Sequence, residues 1–147
     1  PEWDTDDTGT TITTVRKTSD ETVNNSTTLQ NDDQLLLAMA ANETWYFRLY
    51  TTGISNTIAD TNFAFTVPTG ATINWCPTGE GSFVCSTVPT SGTAFYMEGN
   101  DTTYSHSAVG IVVNGTTAGN LQLQWAQGTA TVVDTKVLIN SYLTAHK

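Results

Sequence analysis

The chain has 147 residues and a formal net charge of −9, with 14 acidic residues against five lysines and arginines. That length holds one hydrophobic core rather than two, and that charge repels a phosphate backbone or an anionic lipid surface, so neither nucleic acid nor membrane is an expected partner. Only 13% of residues are charged, and the polar character comes instead from 30 threonines, β-branched residues that suit a pleated surface, so the composition points to β structure from end to end.

Residues 1–9, PEWDTDDTG, are acidic and unpatterned and read as an extended arm ahead of a single domain over 10–147. Trp3 is the only large apolar group in the arm. With Asp4, Asp6 and Asp7 beside it, Trp3 is placed to anchor the arm on a neighbouring subunit or a larger assembly, because indole is costly to leave in water and favoured at interfaces. No signal-peptide pattern opens the sequence, and Pro1 fits removal of an initiator methionine or trimming of a precursor.

Strand patterns follow at short intervals: Thr11 to Lys17, Leu35 to Ala40, Thr44 to Thr51, Thr61 to Val67, Thr72 to Trp75, Ala94 to Glu98, Ala108 to Val113, Asn120 to Gln127, and Thr131 to Ala145 with a break. Between them lie turn signals such as Asn24-Asn25-Ser26, Asn31-Asp32-Asp33, Thr52-Gly53, Pro68-Thr69-Gly70, Gly99-Asn100-Asp101 and Asn114-Gly115. About eight to ten short strands predict an all-β, jelly-roll-like antiparallel β-sandwich. The longest apolar run, Leu35 to Ala41, is seven residues, far short of the roughly 18 a membrane span needs.

Cys76 and Cys85 flank a loop dense in glycine, and their spacing allows a disulfide across it, although two free thiols are equally compatible with the sequence. Without a nearby histidine they do not complete a zinc site, and no metal or other cofactor is expected. His106, in the polar stretch Tyr104-Ser105-His106-Ser107, and His146, next to last, read as solvated surface residues, so no hydrolytic triad is expected. The carboxylate pairs Asp6-Asp7, Asp20-Glu21 and Asp32-Asp33 lack the spacing of a calcium loop, and Asn31-Asp32-Asp33 reads as a turn. Five N-x-[ST] sequons, at Asn24, Asn25, Asn42, Asn100 and Asn114, follow largely from the abundance of Asn, Ser and Thr. The chain is therefore not expected to be an enzyme.

In Leu121-Gln122-Leu123-Gln124-Trp125-Ala126-Gln127 the side chains Leu121, Leu123 and Trp125 share one strand face, which predicts a core contact. The glutamines are read onto the other face, amides where Lys and Glu usually stand, which points to contact with another protein surface. Together with Leu138, Tyr142 and Leu143 near the C-terminus, Gln122 and Gln124 are the expected residues of a symmetric homotrimer interface.

Val15-Arg16-Lys17-Thr18, Asp20 to Leu29, Asp32-Asp33-Gln34-Leu35, Ala40 to Trp45, Thr117 to Gln127 and Ser141-Tyr142-Leu143 together resemble small β-sandwich proteins of tailed-bacteriophage virions. The resemblance covers most of the chain and is weakest from Asn74 to Thr103. It implies a jelly roll of the tumour-necrosis-factor type, a homotrimer, and a place on the virion surface after synthesis in the host cytoplasm. The function it implies is capsid decoration, with the major capsid protein as partner. A tail-fibre or head-fibre receptor-binding tip and a carbohydrate-binding module are the alternatives. A fibre tip is disfavoured by the lack of any shaft repeat or heptad ahead of the sandwich.

Overall fold

The computed structural model describes residues 11–78 and 90–147, and the expected arm as well as Cys85 lie outside them. Eleven strands and no helix occur among the described residues: β1 (Ile12–Arg16), β2 (Glu21–Val23), β3 (Gln30–Met39), β4 (Thr44–Ile54), β5 (Thr61–Thr66), β6 (Thr72–Thr78), β7 (Phe95–Met97), β8 (Thr103–Val113), β9 (Gly119–Gln127), β10 (Thr135–Val137) and β11 (Tyr142–His146). They form two antiparallel sheets packed face to face. One sheet has the order β3-β9-β5-β7. In the other, β4 is central: its length pairs with β8 on one side, and on the other Tyr46–Tyr50 pair with β11 and Gly53–Ile54 with β10. β1 and β2 continue that sheet beyond β11 and β10, and β6 lies beyond β8.

From β2 to β10 every successive strand lies in the sheet opposite to its predecessor. With β6 as an added edge strand, the order β1/β2, β10/β11, β4, β8 over β3, β9, β5, β7 is the jelly-roll arrangement that two interlocked Greek keys produce. The fold class expected from the pattern is the one observed. The core is the space between the sheets, filled by Trp45, Phe47 and Leu49 of β4, Phe63 and Phe65 of β5, Leu121, Leu123 and Trp125 of β9, and Leu143 of β11.

Strand boundaries depart from the expected pattern where turn chemistry sits inside a strand. Asn31-Asp32-Asp33 is not a connection but a bulge within β3, where the register with β9 shifts between Asn31 and Leu36. The Asp32 carboxylate accepts the Gln34 and Leu35 amides at 3.0 and 2.8 Å, the local bonding expected of an aspartate turn, here used to bulge a strand. Thr52-Gly53 also lies within a strand, because Gly53 leaves room for the Tyr104 ring of β8. The break expected in Thr131 to Ala145 is Leu138–Ser141, between β10 and β11. It lies beside the matching break Lys17–Asp20 between β1 and β2, and the Lys17 amide to Ser141 carbonyl and Asn140 amide to Lys17 carbonyl bonds stitch the two together.

Lys17, 1% exposed, is a buried cation in this core. Its Nζ lies 2.7 Å from Asp32 Oδ2 and 2.8 Å from Glu21 Oε2. Asp32 Oδ2 also accepts the Trp125 indole N–H at 3.2 Å, and Glu21 takes bonds from the Gln30 side chain and the Asp33 amide. The cluster thus ties β2 and the β1–β2 break in one sheet to β3 and β9 in the other. A buried pair is tolerated when its remaining lone pairs are used, as Asp32's are, and removing one member leaves an uncompensated charge.

Two substitutions test this construction. Lys17→Met is expected to lower stability by about 3–5 kcal/mol, read as a fall in urea midpoint at unchanged slope, because Asp32 and Glu21 lose their counter-charge. Gly110→Ala is expected to cost about 1–3 kcal/mol by overpacking, since a Cβ there would stand 2.5 Å from the Phe47 ring and 2.7 Å from the Asn74 carbonyl. A thermal melt of the alanine variant matching wild type would refute that contact as a constraint.

Candidate interaction surface

The outer face of the sheet built on β4 is set by strand alternation. The inward side chains of β4 are Trp45, Phe47, Leu49 and Thr51, so Tyr46, Arg48, Tyr50 and Thr52 point to solvent. Register then aligns rows across neighbouring strands. Ile12, His146, Tyr46, Ile111 and Asn74 form one row, and Thr14, Thr144, Arg48, Val109 and Cys76 form the next. Arg16, Tyr142, Tyr50, Ser107 and Thr78 form a third.

This face sets apolar and aromatic side chains among its polar ones, where a solvated sheet is usually polar throughout. Ile12 is 69% exposed, Tyr46 50%, Val113 46% and Val109 41%. Tyr46 stacks on His146 with ring centroids 5.5 Å apart, and Tyr50 stacks on Tyr142 at 5.4 Å. An open concavity of about 510 Å³, bordered by Tyr46, Asn74, Trp75, Cys76, Val109 and Ile111, lies over β8 between β4 and β6. The Trp75 ring itself turns inward, edge-on to Phe65 and Phe95 in the core, and its buried indole N–H has no hydrogen-bond partner among the described residues.

The charge pattern is equally marked. None of the 14 carboxylates lies on β1, β4, β6, β8 or β11. Arg16 and Arg48 do lie there. Arg16 Nη1 donates to Asn140 Oδ1 at 2.5 Å, whereas Arg48 has no hydrogen-bond or ion-pair partner among the described residues. At the margin, Lys147 bonds Glu43 and lies 5.3 Å over the Trp45 ring. Glu43 also accepts the Trp45 indole N–H and the Ala40 amide, and chiefly the Lys147 bond holds its carboxyl below the usual glutamate value.

The residues expected at a trimer interface do not share one surface. Gln122, 8% exposed, turns its amide onto the Asp32 and Leu123 carbonyls, and Gln124, on the outer face of the opposite sheet, donates to Asn31 Oδ1 at 2.9 Å. Leu143 is in the core, because it falls on the inward side of β11. Leu138 is half-buried in the β10–β11 break, and Tyr142 alone of the five stands on the aromatic face. Gln127, read with the other glutamines, belongs by its odd number to the Trp125 side. It is fully buried there, its amide bonding the Val133 carbonyl and the Ser26 and Thr131 amides. The amide-rich face expected to meet a partner is therefore engaged within the chain.

Trp3, Asp4, Asp6, Asp7 and Cys85 lie outside the described residues, and Cys76 is disulfide-bonded. Among the described residues no group of three His, Cys, Asp or Glu side chains is placed to hold a metal ion, and no helix is long and apolar enough to cross a membrane. The aromatic face had one sequence signal, the alternation of Tyr46, Arg48 and Tyr50 with core residues. The rows it joins from β1, β6, β8 and β11 come from distant segments.

His106 is not a solvated loop residue. β8 begins at Thr103, three residues before it, and its register with Thr51 turns the ring inward between Tyr104 at 4.6 Å and the edge of Phe63 at 6.1 Å. Its Nε2 is buried without a partner, and burial pushes its pKa down to about 4 from the ordinary 6.5. Protonation therefore favours the unfolded chain. The stabilisation is fully present above pH 6.5, is lost progressively as pH falls towards 4, and amounts to about 1–3 kcal/mol for this partly screened ring. Stability measured at pH 7 and pH 4.5 should fall less in His106→Phe than in wild type, and an equal fall in both would exclude His106 as the source.

Comparison with protein-family models, with curated proteins and with solved structures finds no match to this chain.

Proposed function

We propose that the chain is a structural protein of a tailed-bacteriophage virion, a non-enzymatic jelly roll that binds and reinforces the capsid shell as a homotrimer. The observation that carries this reading is the aromatic, carboxylate-free sheet face. It is broad and open, the shape of a surface that makes many modest contacts with protein, as between the subunits of a homotrimer, rather than one that encloses a reacting molecule. The resemblance to virion-surface sandwiches supports it. The residues bearing that resemblance include Lys17, Glu21, Asp32, Glu43, Trp45 and Trp125, the members of the two networks that bind the sheets and the C-terminus together. The partner in this reading is the major capsid protein, and the protein is made in the host cytoplasm and resides on the capsid surface.

A second reading, a fibre tip that takes a receptor or glycan, has in its favour the stacked pairs Tyr46–His146 and Tyr50–Tyr142, since exposed rings are the usual platform for sugar faces. Co-sedimentation separates the two. The intact protein is expected to pellet with undecorated capsids in many copies per shell, and a variant lacking residues 1–9 is expected to stay folded but bind less, as the acidic arm with Trp3 is lost from the contact. Full retention of binding by the truncated protein removes the arm from the mechanism. No pelleting by the intact protein favours the fibre-tip reading.

A further inference from the structure

We propose that the outer face of β1, β11, β4, β8 and β6 seats against an acidic surface of a second copy of this chain, head to tail, with Arg48 as the anchor that receives a carboxylate from the neighbour. This deepens the homotrimer reading above and rests on it. Four of the nine exposed large apolar side chains among the described residues, Ile12, Tyr46, Val109 and Val113, stand on this face; register groups Tyr46, Val109 and Val113 around Ile111, with Ile12 beyond His146. The other five, Ile58, Tyr96, Val132, Val133 and Ile139, are spread over β7 and the connections between strands. A contiguous apolar patch rimmed by polar groups marks a protein contact.

Charge identifies the occupant and the mode of contact. Arg48 lies between Thr144 and Val109, with no partner among the described residues and no carboxylate on the strands that build its sheet face. Burying it is favourable only if the partner brings an anion, because a guanidinium left unpaired in an interface costs more than the apolar contact around it returns. A two-fold arrangement would set this face against itself and bring Arg48 against Arg48. A head-to-tail arrangement sets it against the rest of the molecule, where the carboxylates of the described residues are found. Among the described residues, Asp33 in the β3 bulge and Glu98 after β7 are exposed carboxylates that accept no hydrogen bond, and they stand at the two edges of the opposite sheet. Either one supplies the acceptor without breaking an existing contact.

The test uses the full chain without capsids, so that its failure is distinct from failure of shell binding. Light scattering across micromolar concentrations is expected to give a trimer for wild type. Arg48→Glu and Tyr46→Glu, both at exposed positions, are expected to weaken assembly by about 100-fold or more at unchanged circular dichroism. Adding Asp33→Lys and Glu98→Lys to Arg48→Glu is expected to restore the trimer by exchanging the signs of the pair. A wild-type monomer, a dimer, or a trimer indifferent to Arg48→Glu and Tyr46→Glu overturns the interface, and lack of rescue by the charge exchange overturns the assignment of the acceptor carboxylates. A wild-type monomer that still pellets with capsids would overturn this interface alone and leave the shell-binding role standing.

Discussion

The contact between Lys17 and Asp32 is the constraint around which the rest of the sandwich is arranged. A cation 1% exposed is tolerated only with counter-charge in direct contact, and Asp32 supplies it at 2.7 Å while accepting two backbone amides and an indole N–H. For Lys17 to reach it, β1 must break after Arg16, and for Asp32 to present its carboxylate, β3 must bulge. The break in β1 then requires the complementary break between β10 and β11, since the Lys17 backbone pairs with Asn140 and Ser141. One ion pair therefore accounts for three departures from regular strand geometry. Such a pair adds less to net stability than an apolar replacement of equal volume can, and what it secures is the alignment of one sheet on the other.

That alignment produces a molecule with a sharply divided surface. Inward residues of β4 and β8 fill the core, and their outward neighbours form a partly aromatic face without a carboxylate, while the acidic groups of the described residues are confined to connections, β2 and β3. Arg48 at the centre of the aromatic sheet is the sole described cation without a partner. A net charge of −9 keeps separate copies apart through long-range repulsion, and a local basic and apolar patch offers a directed way to overcome it. The physical picture is of an acidic chain with one basic, partly apolar sheet face among its described residues. A shell-binding protein and a self-assembling ring both need that combination.

Alternation along single strands was legible in the sequence because a strand's side-chain period is two, a local property. β9 illustrates it: Leu121, Leu123 and Trp125 lie in the core as their spacing implied. The density of turn residues and β-branched side chains likewise implied a sandwich, and the two sheets followed. Turn signals at Asn24-Asn25-Ser26, Pro68-Thr69-Gly70, Gly99-Asn100-Asp101 and Asn114-Gly115 are connections as expected, whereas Asn31-Asp32-Asp33 and Thr52-Gly53 lie inside strands. Asp32 makes the amide contacts of a turn inside a strand, and which of the two arises depends on a lysine fifteen residues away.

Tertiary structure alone decided where each polar group went. Gln122 and Gln127 looked available for a partner, yet their amides are taken by backbone groups of other segments, because a buried amide must find a bond and the chain crossing nearby provides one. His106 sits in a run of polar residues, but β8 starts early enough to turn it inward under Tyr104 and Phe63. The aromatic face is assembled from β1, β4, β6, β8 and β11, drawn from both ends of the sequence, and its lack of acids is visible only once register lays those strands side by side. Sequence by itself determined the fold class and the core-facing side of its most regular strand, since both follow from local periodicity and composition. The pairing of Lys17 with Asp32 and the segregation of charge from the aromatic face depend on contacts between residues far apart in the chain, which no local pattern encodes.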